Sequence, residues 1–122
     1  MSTLSGISRL EYKIEIDYIG GILSKNAYKI GRGTKPEVKR WMKELEGKAR
    51  DLGLSLSRTQ TIEVGVFGYF WDGKRPDIHN LTEVIADALK KGLGVDDRYF
   101  KMITDGWECG HKNQKLVIRI RV

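Results

Sequence analysis

Residues 61–71, TIEVGVFGYFW, decide the fold. β-Branched and aromatic residues dominate the stretch, the composition that favours an extended chain. Ile62, Val64 and Val66 point to one side, and Phe67 and Tyr69 to the other. A strand that is apolar on both faces sits inside a sheet rather than at its rim. This segment therefore predicts the central strand around which the rest of the chain is arranged.

Working outward, residues 10–18 alternate. Leu10, Tyr12, Ile14, Ile16 and Tyr18 share one face, and Glu11, Lys13, Glu15 and Asp17 the other, the pattern of a half-buried strand. Residues 20–34 hold four glycines and several cations and are expected to form a mobile loop. Pro36 opens a helix, with Thr34 or Lys35 just before it. Val38, Trp41, Met42, Leu45, Ala49 and Leu52 form its apolar face, Lys39, Arg40, Lys43 and Arg50 lie opposite, and Gly53 offers a left-handed stop. Past the central strand, Asp72 and Gly73 turn the chain. A second helix is expected over 80–91, with Asn80 as N-cap, Glu83 as its capping-box partner and Gly92 as its end. Residues 99–108 and 115–122 read as strands, joined as a hairpin through Gly110, His111, Lys112 and Asn113. The expectation is one domain, 1–122, of class α+β: a small mixed β-sheet with two helices packed on one face.

Composition narrows the function. At 122 residues the chain suits a single domain, and 40% hydrophobic with 31% charged residues suits a folded one. No apolar run approaches the roughly 20 residues of a membrane span, and residues 1–9 lack the core of a secretion signal, so no membrane partner and a cytoplasmic setting are expected. The single cysteine, Cys109, excludes an internal disulfide and a thiolate zinc cluster, and is expected as a partly buried strand residue. The net charge is +6, and residues 22–58 hold ten basic against four acidic residues, so the whole excess lies there. A concentrated block of cations suits a polyanion such as nucleic acid, or merely a solvated helix face.

The chemistry concentrates in residues 74–100, KRPDIHNLTEVIADALKKGLGVDDRYF. Pro76 favours an extended backbone, in which Asp77 and His79, two apart, face one way. Asp96 and Asp97 follow the predicted helix, so its two ends can bring these groups toward one end of the sheet. Clustered carboxylates repel unless a cation joins them, and hard oxygen donors suit Mg²⁺ or Mn²⁺. Each residue also has a plainer reading. Asp77 can be a turn residue, Asp96 and Asp97 a turn before a strand, and His79 a side chain packed on the helix. Pattern alone does not choose.

The same stretch resembles the signature of the RusA family of Holliday-junction resolvases. That signature runs Pro-Asp-x-Asp-Asn-Leu-x-x-Lys, then Asp-Ala-Leu, then Asp-Asp. Pro76, Asp77, Asn80 and Leu81 match it, as do Asp87, Ala88, Leu89, Asp96 and Asp97. Ser24, Lys25 and Asn26 fit the family's Ser-x-Asn after the first strand. The resemblance covers nearly the whole chain. It implies a RusA-like fold and a homodimeric endonuclease that resolves four-way junctions in DNA recombination and repair with Mg²⁺ or Mn²⁺.

It also implies an acidic site at Asp77, His79 and Asp97, with Asp96 as a further ligand. Two positions depart from the pattern. His79 stands for an aspartate, and an imidazole ligates Mn²⁺ more readily than Mg²⁺. Glu83 stands for a lysine, and either supplies a carboxylate to the site or only caps the helix at Asn80. The lysine's function then falls to Lys25, Lys74 or Arg75. DNA contacts are expected from Lys25, Asn26, Lys29, Arg32, Lys35, Lys39, Lys43, Lys74 and Arg75. A catalytically weak or inactive junction-binding protein is the alternative that His79 and Glu83 suggest.

Overall fold

The structure, a computed structural model, describes residues 10–25, 27–71 and 78–122. Among these residues six strands and two α-helices follow in the order β1 (Glu11–Asp17), β2 (Lys29–Ile30), β3 (Gly33–Thr34), α1 (Pro36–Asp51), β4 (Ile62–Tyr69), α2 (Thr82–Leu93), β5 (Phe100–Glu108) and β6 (Lys115–Arg121). The main sheet runs β1-β6-β4-β5, and β2 and β3 form a separate two-stranded ribbon. β4 pairs parallel with β5 and antiparallel with β6, so the sheet is mixed. The class is α+β, as the sequence predicts.

One sheet face carries the core. Ile14 and Ile16 of β1, Val64 and Val66 of β4, and Ile118 and Ile120 of β6 are buried there with Val38, Trp41 and Leu45 of α1 and Val84, Ile85 and Leu89 of α2. The other face holds cross-strand ion pairs. Lys115 meets Glu15 at 2.6 Å, and Arg121 reaches Glu63 and Asp105, each at 2.8 Å.

α1 begins at Pro36 after Lys35, and Gly53 just past its end has φ +65°. Its Trp41 indole N–H donates to the Asp17 carbonyl at 2.6 Å, fixing the helix to the end of β1. α2 packs along α1. The reason is Gly92: a Cβ there would fall 2.5 Å from the Glu46 carbonyl and 2.7 Å from the Ala49 Cβ. Gly92 does not stop α2, as expected from sequence, but admits α1, and the helix runs one residue further to a left-handed cap at Gly94, φ +72°.

Three further expectations are corrected. The strands β5 and β6 form no hairpin, because both pair with β4, one on each side. The connection between them crosses the end of β4, where Gly110 N–H donates to the Trp71 carbonyl and His111 N–H to that of Phe70. Cys109, one residue past β5, is exposed rather than partly buried. The glycine-rich stretch is a built element rather than a mobile loop. A 3-10 turn at Gly21–Leu23 leads to the β2–β3 ribbon, and Leu23 and Tyr28 are fully buried.

Candidate functional site

The N-terminal end of α2 is made differently from the expected capping box. A 3-10 turn, Ile78–Leu81, precedes the helix, and Leu81 occupies the N-cap without a side-chain hydrogen bond. Ile78 and Leu81 are buried and turn the segment into the core, which leaves His79 exposed on the turn. Thr82 Oγ1 donates to the His79 carbonyl at 2.9 Å. Asn80 does not cap. Its carbonyl accepts the Lys25 N–H at 2.7 Å, which docks the residues 21–34 arm on the start of α2.

Glu83, released from capping, faces that arm. The buried Tyr28 hydroxyl donates to Glu83 Oε1 at 2.8 Å and lies 3.3 Å from Asp87 Oδ2. Lys29 Nζ stands 3.8 Å from Glu83 Oε1. One turn on, Lys90 Nζ lies 3.6 Å from Asp87 Oδ1 and 3.7 Å from Asp97 Oδ2. Spacings of four and three residues put Glu83, Asp87 and Lys90 on one side of α2. Asp97 joins them because the chain turns sharply after Gly94 into a short 3-10 turn, Asp97–Tyr99. The result is an acidic track, Glu83–Asp87–Asp97, with an ammonium group beside each carboxylate. Burial and the two neighbouring carboxylates push the Tyr28 phenol far above its usual range, so the hydroxyl stays protonated and a donor.

Asp96 takes another role. Its Oδ1 accepts the Arg98 N–H at 3.1 Å and its Oδ2 the Arg98 guanidinium at 3.1 Å, so it caps the 3-10 turn. These bonds, the backbone one foremost, hold its carboxyl below the usual range. Asp77, Asn26, Lys74 and Arg75 lie outside the described residues. The structure thus sets Glu83 and Asp97 of the expected site on either side of Asp87, which spacing already puts on the face of Glu83, and adds Lys90 and Tyr28. Spacing of 83, 87 and 90 along one helix signals the helical part. Nothing in the sequence signals Tyr28, whose burial depends on the arm folding back.

On the open sheet face Lys115, Arg119 and Arg121 are all ion-paired. Among the described residues, Lys25, Arg32, Lys35, Lys39, Arg40 and Lys43, on the arm or the first half of α1, make no ion pair, and neither do Arg58, Lys91, Lys101 and Lys112 elsewhere. Lys39, Arg40 and Lys43 line one shallow groove with Pro36. Six of these ten unpaired cations therefore lie on, or next in the chain to, the element that Tyr28 docks against the acidic track.

The donor types, carboxylates and an imidazole on the preceding turn, suit a hard divalent cation in kind. Among the described residues, no three such groups close on a single point. No helix among them is long and apolar enough to cross a membrane. Compared with protein-family models and with curated proteins, the chain matches none.

Proposed function

We propose that this chain is a metal-dependent endonuclease of the RusA type, acting on branched DNA in the cytoplasm as a homodimer. The observation that supports the reading is the joint made by Tyr28. It anchors a cationic arm directly on the helix face that carries Glu83 and Asp87, with Asp97 one lysine away. A phosphodiester enzyme needs that adjacency, with cations to hold the DNA backbone and carboxylates beside them for the chemistry.

In this reading Asp77, His79 and Asp97 hold Mg²⁺ or Mn²⁺, with Asp87 or Asp96 close by. The bound ion supplies Lewis-acid polarisation of a phosphate oxygen and lowers the pKa of a water. The chain's own residues orient the rest. Tyr28 keeps Glu83 and Asp87 from swinging into solvent. Lys25, Lys29 and Arg32 meet phosphates on the arm, and Lys35, Lys39 and Lys43 extend that contact along α1. Lys74 and Arg75 adjoin Asp77 in sequence and serve the strand being cut. A two-fold dimer presents two such sites to two strands of a junction.

The test is cleavage of a labelled four-way junction with Mg²⁺, with Mn²⁺ and with chelator, beside Asp97→Asn and Asp77→Asn. Paired, metal-dependent nicks that vanish in both variants, with junction binding retained, are expected. Cleavage retained in either variant overturns the assignment. One observation favours a second reading, an inactive junction-binding protein: Glu83 is already engaged by Tyr28 and Lys29. Tight binding without cleavage under either metal would select it.

A further inference from the structure

We infer that Trp71 is a stacking platform for an unpaired DNA base, with the Lys112 ammonium beside it for the adjoining phosphate. The inference rests on the DNA reading above and not on the metal. Trp71 is 51% exposed, whereas Trp41 is buried. An exposed indole forgoes much of the burial free energy that its size offers. The exposure is not slack in the chain. The Trp71 N–H donates to Gln114 Oε1 at 3.0 Å, and its carbonyl accepts the Gly110 N–H at 2.9 Å. Phe70 beside it is buried, donates its N–H to the Glu108 carbonyl at 2.8 Å and accepts the His111 N–H at 3.0 Å. The His111 ring packs edge-on against Tyr69 with centroids 4.8 Å apart. The segment after β5 thus clamps the backbone at Phe70 and Trp71 and presents the indole in a fixed place.

The surroundings point to the partner. Lys112 Nζ lies 5.9 Å from the centre of the Trp71 ring, and Lys112 makes no ion pair among the described residues. A flat π-face beside an unneutralised ammonium matches a nucleotide, which brings a base to stack and a phosphate to pair. An apolar protein surface would leave the ammonium without a partner. The location agrees. The Gln114 carbonyl accepts the Tyr18 N–H at 3.1 Å, and the Tyr18 ring meets Phe70 edge-on at 5.2 Å. Tyr18 follows β1 and leads into the cationic arm, so Trp71 stands at the end of the sheet from which that arm departs. Trp71 also lies six positions before Asp77, which keeps their Cα atoms within about 22 Å. A base inside a duplex is already stacked on both faces. The platform therefore selects single strands and opened junction centres.

The probe is a short labelled oligothymidylate, read by fluorescence anisotropy at several salt concentrations beside a duplex of equal length and a four-way junction. Trp71→Ala should weaken oligothymidylate binding roughly tenfold or more, with the slope of log affinity against log salt unchanged and duplex binding within about twofold of wild type. Trp71→Phe keeps a stacking ring and should stay within about threefold. Lys112→Gln should lower the salt slope by about one. Trp107→Ala removes the other exposed indole and should change affinity less than about twofold. In the wild-type protein, which needs no variant to fold, an oligonucleotide carrying 5-iodouracil should photo-cross-link to Trp71. Unchanged single-strand affinity in Trp71→Ala, an equal loss on duplex or in Trp107→Ala, an unchanged slope in Lys112→Gln, or cross-links that avoid Trp71 overturns the inference; with junction binding intact, the DNA reading stands. A dimer lost in Trp71→Ala by sedimentation, with single-strand affinity kept, assigns the ring to a protein contact and overturns the inference equally. Wild-type protein that binds neither junction, duplex nor single strand overturns the DNA reading with it.

Discussion

The Tyr28 hydroxyl donates to the Glu83 carboxylate at 2.8 Å, joining the arm to α2 across 55 residues of sequence. The ring is fully buried while its oxygen sits at the edge of the core beside two carboxylates. The ring therefore secures the arm by apolar burial, and the hydroxyl orients the acids. The two contributions separate by substitution.

Tyr28→Phe keeps the ring and removes the donor. It should cost about 1–2 kcal/mol, because Glu83 and Asp87 lose a shared hydrogen bond and face each other directly. Urea denaturation at pH 7 measures it. The alkaline limb gives a second check. The folded phenol titrates well above the ordinary value near 10, so it adds stability that is fully present below about pH 10 and fades as pH rises toward the folded pKa. Tyr18 is shifted the same way by burial. Tyr28→Phe should therefore flatten, but not abolish, the loss of stability above pH 10. An unchanged slope would separate Tyr28 from that limb.

Two glycines in helices should respond oppositely to alanine. At Gly92 the new Cβ meets backbone, the Glu46 carbonyl, so α1 and α2 must separate. The expected loss is about 2–3 kcal/mol. At Gly47, inside α1, a Cβ meets nothing within 4 Å. Alanine there should add about 0.5–1 kcal/mol by lowering the entropy of the unfolded chain and favouring helix. Equal effects at the two sites would contradict the packing described.

Arg121 is the hub of the open sheet face. It pairs with Glu63 and Asp105 at 2.8 Å and with Glu11 at 3.0 Å, and its side chain is 17% exposed. Arg121→Met should destabilise by about 2 kcal/mol, chiefly because Glu63 and Asp105 keep their charges with less water around them. Asp105→Asn in the Arg121→Met background should recover part of the loss, which a chemical-denaturation cycle reads directly.

How much of this was legible follows from the kind of information each feature uses. The β4 strand and α1 are local patterns, apolar residues at periods of two and three to four, and they stand where residues 61–71 and Pro36 place them. The pairing of β5 and β6 is not local. β6 alternates and β5 does not, but neither pattern names a partner; their places follow from β4, which as an interior strand takes a neighbour on each edge, one of them across the α2 connection. The same limit applies to the site. Glu83 and Asp87 share a helix face by spacing alone, whereas Asp97 joins them through the turn after Gly94. Glu83 resembled a capping residue because Asn80 lies three residues before it; the 3-10 turn at Ile78–Leu81 removes Asn80 from the cap.

The two populations of cations make the last prediction. Lys39 and Lys43 have no ion-pair partner among the described residues, while Lys115 is paired with Glu15 at 2.6 Å on the far face of the sheet. If DNA lies along the arm and α1, each of the first two contacts phosphate and releases about one counter-ion on binding. Lys39→Gln and Lys43→Gln should each weaken junction binding and lower the slope of log affinity against log salt by about one, with little change in preference among junction sequences. Lys115→Gln should leave both quantities unchanged, since that ammonium is already paired with Glu15. Fluorescence anisotropy with one labelled four-way junction at several salt concentrations measures all three. A slope lost at Lys115 and kept at Lys39 and Lys43 would move the DNA to the open sheet face and separate it from the acidic track on α2.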